Sequence, residues 1–323
     1  MNKRVLSGIQ PSGTLHIGNY LGMMRQMIDL QNQHELFCFI ADLHAMTSLN
    51  RGDTLRANTL NAALDFLALG IDPEKSVFWV QSTVPEINEL TWYLSNVTPV
   101  GLLERCHSYK DKLAKGIPAN AGLLNYPILM TADILSVQSD IVPVGKDQKQ
   151  HLEVTRDIAI KFNNEFGETF RVPEPLIKEE VAIVPGTDGQ KMSKSYGNTI
   201  EIFGEEKAIR KQVMGIVTDS TPLEQPKNPE TCNVFKIFAL FATPEQKIAL
   251  EQKYRAGGFG YGDAKKETFA LLWEYFRPFR ERRAELAKDL GEVQKVLQKG
   301  TDKARAEILK TLKLVREKTG AYL

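Results

Sequence analysis

Only three of the 323 residues are cysteine: Cys38, Cys106 and Cys232. An odd number at wide spacing does not make a disulfide framework, and a reducing cytoplasm is the expected home. The chain also lacks any apolar run of the roughly 18 residues that a membrane helix needs, so no membrane partner is expected. It has no internal repeat and no low-complexity tract, which excludes solenoids and long disordered tails. A surplus of one charge is missing too: 41 Lys and Arg against 40 Asp and Glu leave a net charge of +1. The opening MNKRVLSGIQPSG runs from a basic start into a short apolar strand and a turn, and no signal peptide is expected from it.

What is present is ordinary in bulk and uneven in place. Hydrophobic residues make up 42% and charged residues 25%, a globular balance in a chain long enough for one large domain or two ordinary ones. From Arg280 to Leu323 there are 12 Lys and Arg and 7 Asp and Glu, a local surplus of five that leaves the remainder at −4. A basic segment on a near-neutral chain fits a polyanionic partner. A charged, solvated helix face would look the same.

Short β-rich runs at Val5–Ile9, Leu36–Ala41, Val77–Gln81, Ile141–Val144 and Val181–Val184 alternate with helical patterns such as Gly18–Gln33 and Thr54–Leu69. Gly70 and Asp72-Pro73 close the second of these. The alternation predicts an α/β fold, a doubly wound parallel sheet with helices on both faces and ligands at the carboxyl ends of its strands. Past Thr199–Phe203 the strands stop. Glu205–Val217, Val234–Phe241, Pro244–Tyr254, Lys265–Leu290 and Thr301–Thr319 read as helices. A boundary near residue 200 follows, with residues 201–323 forming a C-terminal all-helical domain. Residues 82–140 read as a helical insertion within the first domain.

Two motifs carry chemistry. The first, Ser7 to Asn19, follows the first strand and opens the first long helix. Glycines at 8, 13 and 18 let a ligand approach the backbone, Pro11-Ser12-Gly13 makes a tight turn, and the helix start near Ile17 offers N–H groups to phosphate. His16 and Asn19 project toward the same ligand. Alone, this pattern is also an ordinary helix cap. The second, Gly186 to Ser195, follows the last predicted strand. Its Lys191 and Lys194 are compact charges on a Gly-rich loop, suited to polyphosphate.

The pair His16-Ile17-Gly18-Asn19 and Lys191-Met192-Ser193-Lys194-Ser195 resembles the signature pair of the class I aminoacyl-tRNA synthetases. The opening GIQPSG, Tyr126-Pro127 with Met130 to Leu135, and Asp140 to His151 resemble the bacterial-type tryptophanyl branch. The resemblance covers nearly the whole chain. It implies a Rossmann catalytic domain over 1–200, a helical anticodon-binding domain over 201–323, and ATP bound with Mg²⁺ as a substrate complex. The implied partners are L-tryptophan, tRNA(Trp) and a second copy of the chain, with the dimer interface in the 82–140 insertion, around Leu90–Leu103.

The resemblance also implies site roles. Gln10, Pro11, Ser12, Gly18 and Asn19 would cradle ATP, together with Lys191, Met192, Ser193, Lys194 and Ser195. Gly145, Lys146 and Asp147 would meet the adenosine, and a backbone group near Val184 the adenine edge. His16, Asn19, Lys191 and Lys194 would act on the phosphates. Lys112 matches a further phosphate-reaching lysine, with Lys110 an alternative. The amino-acid pocket would comprise His44, Tyr126, Met130, Asp133, Val142, Val144 and Gln148.

The tyrosyl relatives place Gln where Met130 stands. Met offers an apolar wall to an indole face, and Asp133, one helical turn on, an acceptor for the indole N–H. The implied mechanism is attack of the tryptophan carboxylate on the α-phosphorus, then transfer to the tRNA terminal adenosine. Position 6 is Leu where some relatives carry an aromatic residue. Some relatives also hold an iron–sulfur cluster on four cysteines. Here Tyr254, Tyr261 and Ala264 stand with Cys232 at those positions, and no cluster is expected.

Overall fold

β-branched and aromatic runs bounded by Gly, Pro and Asp form a five-stranded sheet. A computed structural model describes residues 2–48, 51–106, 109–110, 120–145, 149–176 and 184–321. The strands are β1 (Arg4–Ile9), β2 (Glu35–Ile40), β3 (Ser76–Val80), β4 (Ile141–Pro143) and β5 (Glu174–Leu176). Every pair is parallel, and the order is β3-β2-β1-β4-β5. The order therefore runs outward in both directions from β1, and the carboxyl end between β1 and β4 is the switch point where such sheets bind ligands. The expected strand over 181–184 is not part of this sheet. Residues 181–183 lie outside the described residues, Val184 stands outside any strand, and Glu174–Leu176 pairs with β4 instead.

Successive strand residues point to opposite faces, and both faces are buried. Val5, Leu36, Cys38, Ile40, Phe78 and Val80 enter one apolar cluster; Leu6, Phe37, Phe39, Trp79 and Val142 enter the other. The helix after β1 begins as α1 (Ile17–Asn19), passes through a π-helical turn at Tyr20–Met24, and ends as α2 (Arg25–Leu30). Then come α3 (Asp42–Ala45) and α4 (Gly52–Leu69), which stops at Gly70 as its sequence predicts. The 82–140 region holds α5 (Glu86–Val97), α6 (Val100–Glu104) and α7 (Ala121–Ser136), and α8 (Lys149–Phe166) follows β4.

The remaining helices are α9 (Glu206–Met214), α10 (Asn233–Ala239), α11 (Pro244–Ala256), α12 (Tyr261–Tyr275), α13 (Arg277–Leu286) and α14 (Leu290–Thr319). The single helix expected over Lys265–Leu290 is broken at Phe276. Pro278 in the next turn has no N–H to continue the ladder, and it suits the start of a helix. The last helix, expected from Thr301, begins eleven residues earlier at Leu290, where Asp289 caps it by accepting from the Glu292 N–H at 3.0 Å.

That last helix does not stay with its sequence neighbours. It lies along β3, the edge strand, and so covers backbone groups that would otherwise be an open template. The approach is close: a Cβ at Gly300 would stand 1.8 Å from the Phe78 carbonyl oxygen. Ala304, Ile308, Leu312 and Val315 pack into the β-sheet cluster that also takes Leu90 and Leu94. Three of its basic residues pair with the catalytic body, as Lys299–Glu74, Arg305–Glu86 and Arg316–Glu89, and Arg283 of α13 pairs with the buried Asp65. The basic segment read from the sequence thus contributes in part to an intramolecular seam.

Candidate active site

At the carboxyl end of β1 the chain turns through Gln10–Leu15 into α1. Pro11 is buried beneath the turn, and Ser12 N–H donates to the Gln10 carbonyl at 2.8 Å. His16 caps the helix: its Nδ1 accepts from the Asn19 N–H at 3.3 Å, and Asn19 Oδ1 accepts from the His16 N–H at 3.2 Å. The two motif residues therefore hold each other in a reciprocal cap. Gly18 is required by crowding, since a Cβ there would stand 2.9 Å from His16 Nδ1 and 3.4 Å from Met192 Cβ.

Met192 belongs to the second motif. Its N–H donates to the Val184 carbonyl at 2.9 Å, and Pro185 pairs with Lys191 in an antiparallel bridge. Asn198, buried at the end of this loop, fixes its path. Its Oδ1 accepts from Ser193 N–H at 2.8 Å, and its Nδ2 donates to Asp188 Oδ1 at 2.7 Å and to the Lys191 carbonyl at 3.1 Å. Beyond it, Ile200 and Ile202 zip against Ile17 and Leu15 through backbone bonds of 3.0 and 3.1 Å. Lys194 closes the gap between the motifs: its Nζ donates to the Ser12 carbonyl at 3.1 Å and to Ser12 Oγ at 3.3 Å.

The electrostatics follow from this packing. Burial, then the Lys194 ammonium, pushes the His16 imidazole down to about 4. Lys194 itself is lowered by the protein crowded against its inner side, although Asp65 and Glu201 pull the other way. Lys191 and Ser195 are exposed at the surface of the loop, and Gln10 and Ser12 at the turn. An ammonium hydrogen-bonded only to neutral oxygens of an exposed turn, beside a helix start, leaves a basic rim open to an anionic ligand.

The second part of the site lies deeper. Asp133, on α7, is 3% exposed. His44 Nε2 stands 2.8 Å from its Oδ2, and Gln81 Nε2 donates to Oδ1 and Oδ2, both at 2.9 Å. Burial raises the carboxyl above its ordinary value, and hydrogen bonding from His44, then from Gln81, works against that rise. Tyr126, two turns before Asp133, meets the His44 ring edge-on at 6.2 Å and holds His151 Nε2 at 2.7 Å through its hydroxyl. Met130, Val142 and Val144 all belong to the apolar cluster on this face, which also takes Leu6.

Lys112, Lys146, Asp147 and Gln148 lie outside the described residues. Gly145 stands exposed just past β4. Among the described residues no group of three His, Cys, Asp or Glu side chains is arranged to hold a metal ion. In the helical region Cys232 Sγ lies 3.5 Å from the buried Tyr254 hydroxyl, and Tyr254 packs at 6.2 Å against Tyr261.

Sequence reasoning missed Gln81, His151 and Asn198 as members of the site. Gln81 did carry a signal: it is a polar residue ending a buried strand at the carboxyl edge, where ligands bind. His151 sat within a motif already singled out. Asn198 follows the second motif by three residues, and only the fold shows that its amide is what shapes the loop.

The sequence matches the family model for class I tRNA synthetases (W and Y) over residues 2–277. It is 60% identical to a tryptophan–tRNA ligase of Fusobacterium nucleatum over 319 residues, covering 98% of each chain. It is 56% identical to one of Rhodopirellula baltica, covering 94% of each. In structure it is similar to the tryptophanyl-tRNA synthetase of Campylobacter jejuni complexed with ADP and tryptophan, with a TM-score of 0.95 and 54% identity, covering 98% of this chain and 99% of that one. With both motifs joined at the switch point of a parallel sheet, the chain belongs to the class I tRNA synthetases of the tryptophan and tyrosine group.

Proposed function

We infer that the chain is a tryptophan–tRNA ligase that activates tryptophan with ATP and then esterifies it to tRNA(Trp). The observation that carries the reading is the junction of Lys194 with Ser12, 182 residues apart in sequence, at the carboxyl end of β1. Mg²⁺–ATP would lie across this junction. Gln10, Pro11, Ser12, Gly18 and Asn19 would cradle it, and Met192, Ser193 and Ser195 would carry the loop over the phosphates. Gly145, Lys146, Asp147 and Val184 would meet the nucleoside. Lys191, Lys194 and Lys112 would offset charge developing as pyrophosphate departs. No protein nucleophile is needed, because the substrate carboxylate attacks the α-phosphorus.

Tryptophan would enter the deeper end. Its indole N–H would donate to Asp133, with Met130, Val142 and Val144 as apolar walls and His44, Tyr126 and Gln148 around the rest. The helical domain from residue 201 would take the anticodon end of the tRNA, with α14 belonging physically to the catalytic body. Trp92 and Val100, 70% and 60% exposed, support a homodimer through the 82–140 region, since Leu90, Leu94, Val97 and Leu103 are spent on the protein's own core. The three buried thiols suit a cytoplasmic enzyme.

Exchange of labelled pyrophosphate into ATP, measured across the twenty amino acids, tests the activity. Exchange that depends on tryptophan supports it, and exchange driven by tyrosine or by none removes it. Sedimentation of the 36.3 kDa chain as twice its mass tests the dimer.

A further inference from the structure

Gln81 lies at the carboxyl end of β3, fully buried, and its amide makes four hydrogen bonds. The Oε1 atom accepts from the backbone N–H of Leu43 at 3.2 Å and of His44 at 3.4 Å. Backbone N–H groups only donate, so they decide which end of the amide is oxygen. The NH₂ end must then face Asp133, where it stands 2.9 Å from both carboxylate oxygens. A carboxylate has about four acceptor positions. Gln81 takes one on each oxygen and His44 takes the second on Oδ2. Among the described residues, the position left over is on Oδ1.

We propose that Gln81 is the positioning residue for amino-acid selectivity: it holds the Asp133 carboxyl turned so that a single acceptor position, on Oδ1, remains for a substrate N–H. This rests on the reading of Asp133 as the indole acceptor given above. The amide never touches the substrate. It acts by removing every alternative use of the carboxyl, so that a ligand without a donor at that point leaves a buried acceptor short of a partner. The titratable groups facing Asp133 are His44 and, farther off, Asp42, both on α3. Tyr126 on its own helix meets the His44 ring edge-on, and His151 on α8 bonds to the Tyr126 hydroxyl.

The test compares tryptophan with β-(3-benzothienyl)alanine, in which sulfur replaces the indole N–H, by pyrophosphate exchange on the full chain. Wild type should prefer tryptophan by about 10²-fold or more in kcat/KM. Gln81→Glu keeps an oxygen for Leu43 and His44 but sets a second carboxyl against Asp133, so only a shared proton restores a donor between the two. Its preference should collapse at pH 8 through KM, with kcat for tryptophan little changed, and should recover in part as the pH falls to 6 and the shared proton binds. A merely structural role would lower both substrates together and leave the ratio independent of pH. Gln81→Met, of similar length and without donors, serves if the Glu variant does not fold; its preference should fall at every pH alike. A folded variant that keeps the wild-type preference throughout overturns the proposal. A wild type without preference overturns the reading of Asp133 instead.

Discussion

At the phosphate end of the site, Lys194 reaches over an open turn to the Ser12 carbonyl, and Lys191 and Ser195 stand in solvent. At the amino-acid end, Asp133 is sealed in the core between His44 and Gln81. Both ends handle charge, in opposite ways. The first leaves its cations at the surface of a loop, where on the proposed reading they would follow a phosphate whose charge grows during the reaction. The second removes a carboxyl from water and, among the described residues, leaves it one unmet acceptor, which on the proposed reading would reject the wrong side chain before any reaction occurs. On that reading one end would serve rate and the other choice.

That contrast predicts separable effects. Lys194→Ala should slow tryptophanyl-adenylate formation by roughly 10²–10³-fold, the scale of one preorganised charge at a transition state. Tryptophan affinity should stay within about twofold, because no atom of Asp133's surroundings moves. Pre-steady-state adenylate formation and equilibrium tryptophan binding measure the two. A loss shared equally between them would break the division of labour.

Asp133→Asn is the converse. It should lower kcat/KM for tryptophan by about 10–100-fold, the scale of a charge-assisted hydrogen bond of 1.5–3 kcal/mol. Whatever activity tyrosine has should fall less. The ratio of the two specificity constants is the readout, and a ratio that does not move would mean that pocket shape alone selects tryptophan.

Gly300→Ala touches neither end and so calibrates both. Its methyl would have to displace the Phe78 backbone, with a Cβ only 1.8 Å from that carbonyl. The expected cost is about 1–3 kcal/mol of folding stability, read from the urea midpoint. In the protein that remains folded, the tryptophan-to-tyrosine ratio should match wild type. An unchanged midpoint would show that α14 does not press on the edge strand.

The smallest effect concerns His16, pushed down to about 4 by burial and then by Lys194. In the unfolded chain an ordinary imidazole binds its proton near pH 6.5, while the folded one waits until about 4. The contribution of this group to stability is therefore fully present above pH 6.5 and declines as the pH falls through that window. Thermal unfolding of wild type and His16→Gln between pH 4.5 and 8 should show a steeper acid slope in wild type. Lys194→Ala should narrow the difference, because one of the two causes is gone. Parallel slopes would mean that neither burial nor the ammonium bears on His16.

The two motifs of the proposed phosphate end were legible in the residues because each is contiguous in sequence. A Gly-rich turn after a strand, a helix start and a lysine loop are each local patterns, and their chemistry survives being read one segment at a time. The parallel sheet was legible for a related reason: fully buried strands read as apolar runs, and the helices between them as 3.6-residue periods. Yet the last strand was expected at 181–184 and stands at Glu174–Leu176. With only three residues and a proline within it, that strand has too little pattern to be seen before its partner β4 is in place.

Of the proposed amino-acid end, the sequence singled out the carboxyl and the apolar walls but not the amide that holds that carboxyl. Gln81, as an isolated glutamine, has no chemistry of its own. It acquires a role because β3 ends where α3 begins and α7 passes, and because two backbone N–H groups decide which way its amide points. The same holds for the C-terminal helix. Its sequence shows a basic amphipathic segment, and local propensity determines that it is helical. Whether its charges face RNA or the protein's own Glu74, Glu86 and Glu89 is decided by a long-range fit, Gly300 against an edge strand more than two hundred residues earlier in the chain. Periodicity and turn chemistry are properties of neighbours in sequence, so the sequence by itself determined the element types, the sheet class and the two motifs. Register, docking and the direction of a buried amide are properties of neighbours in space, and only the tertiary structure decided those.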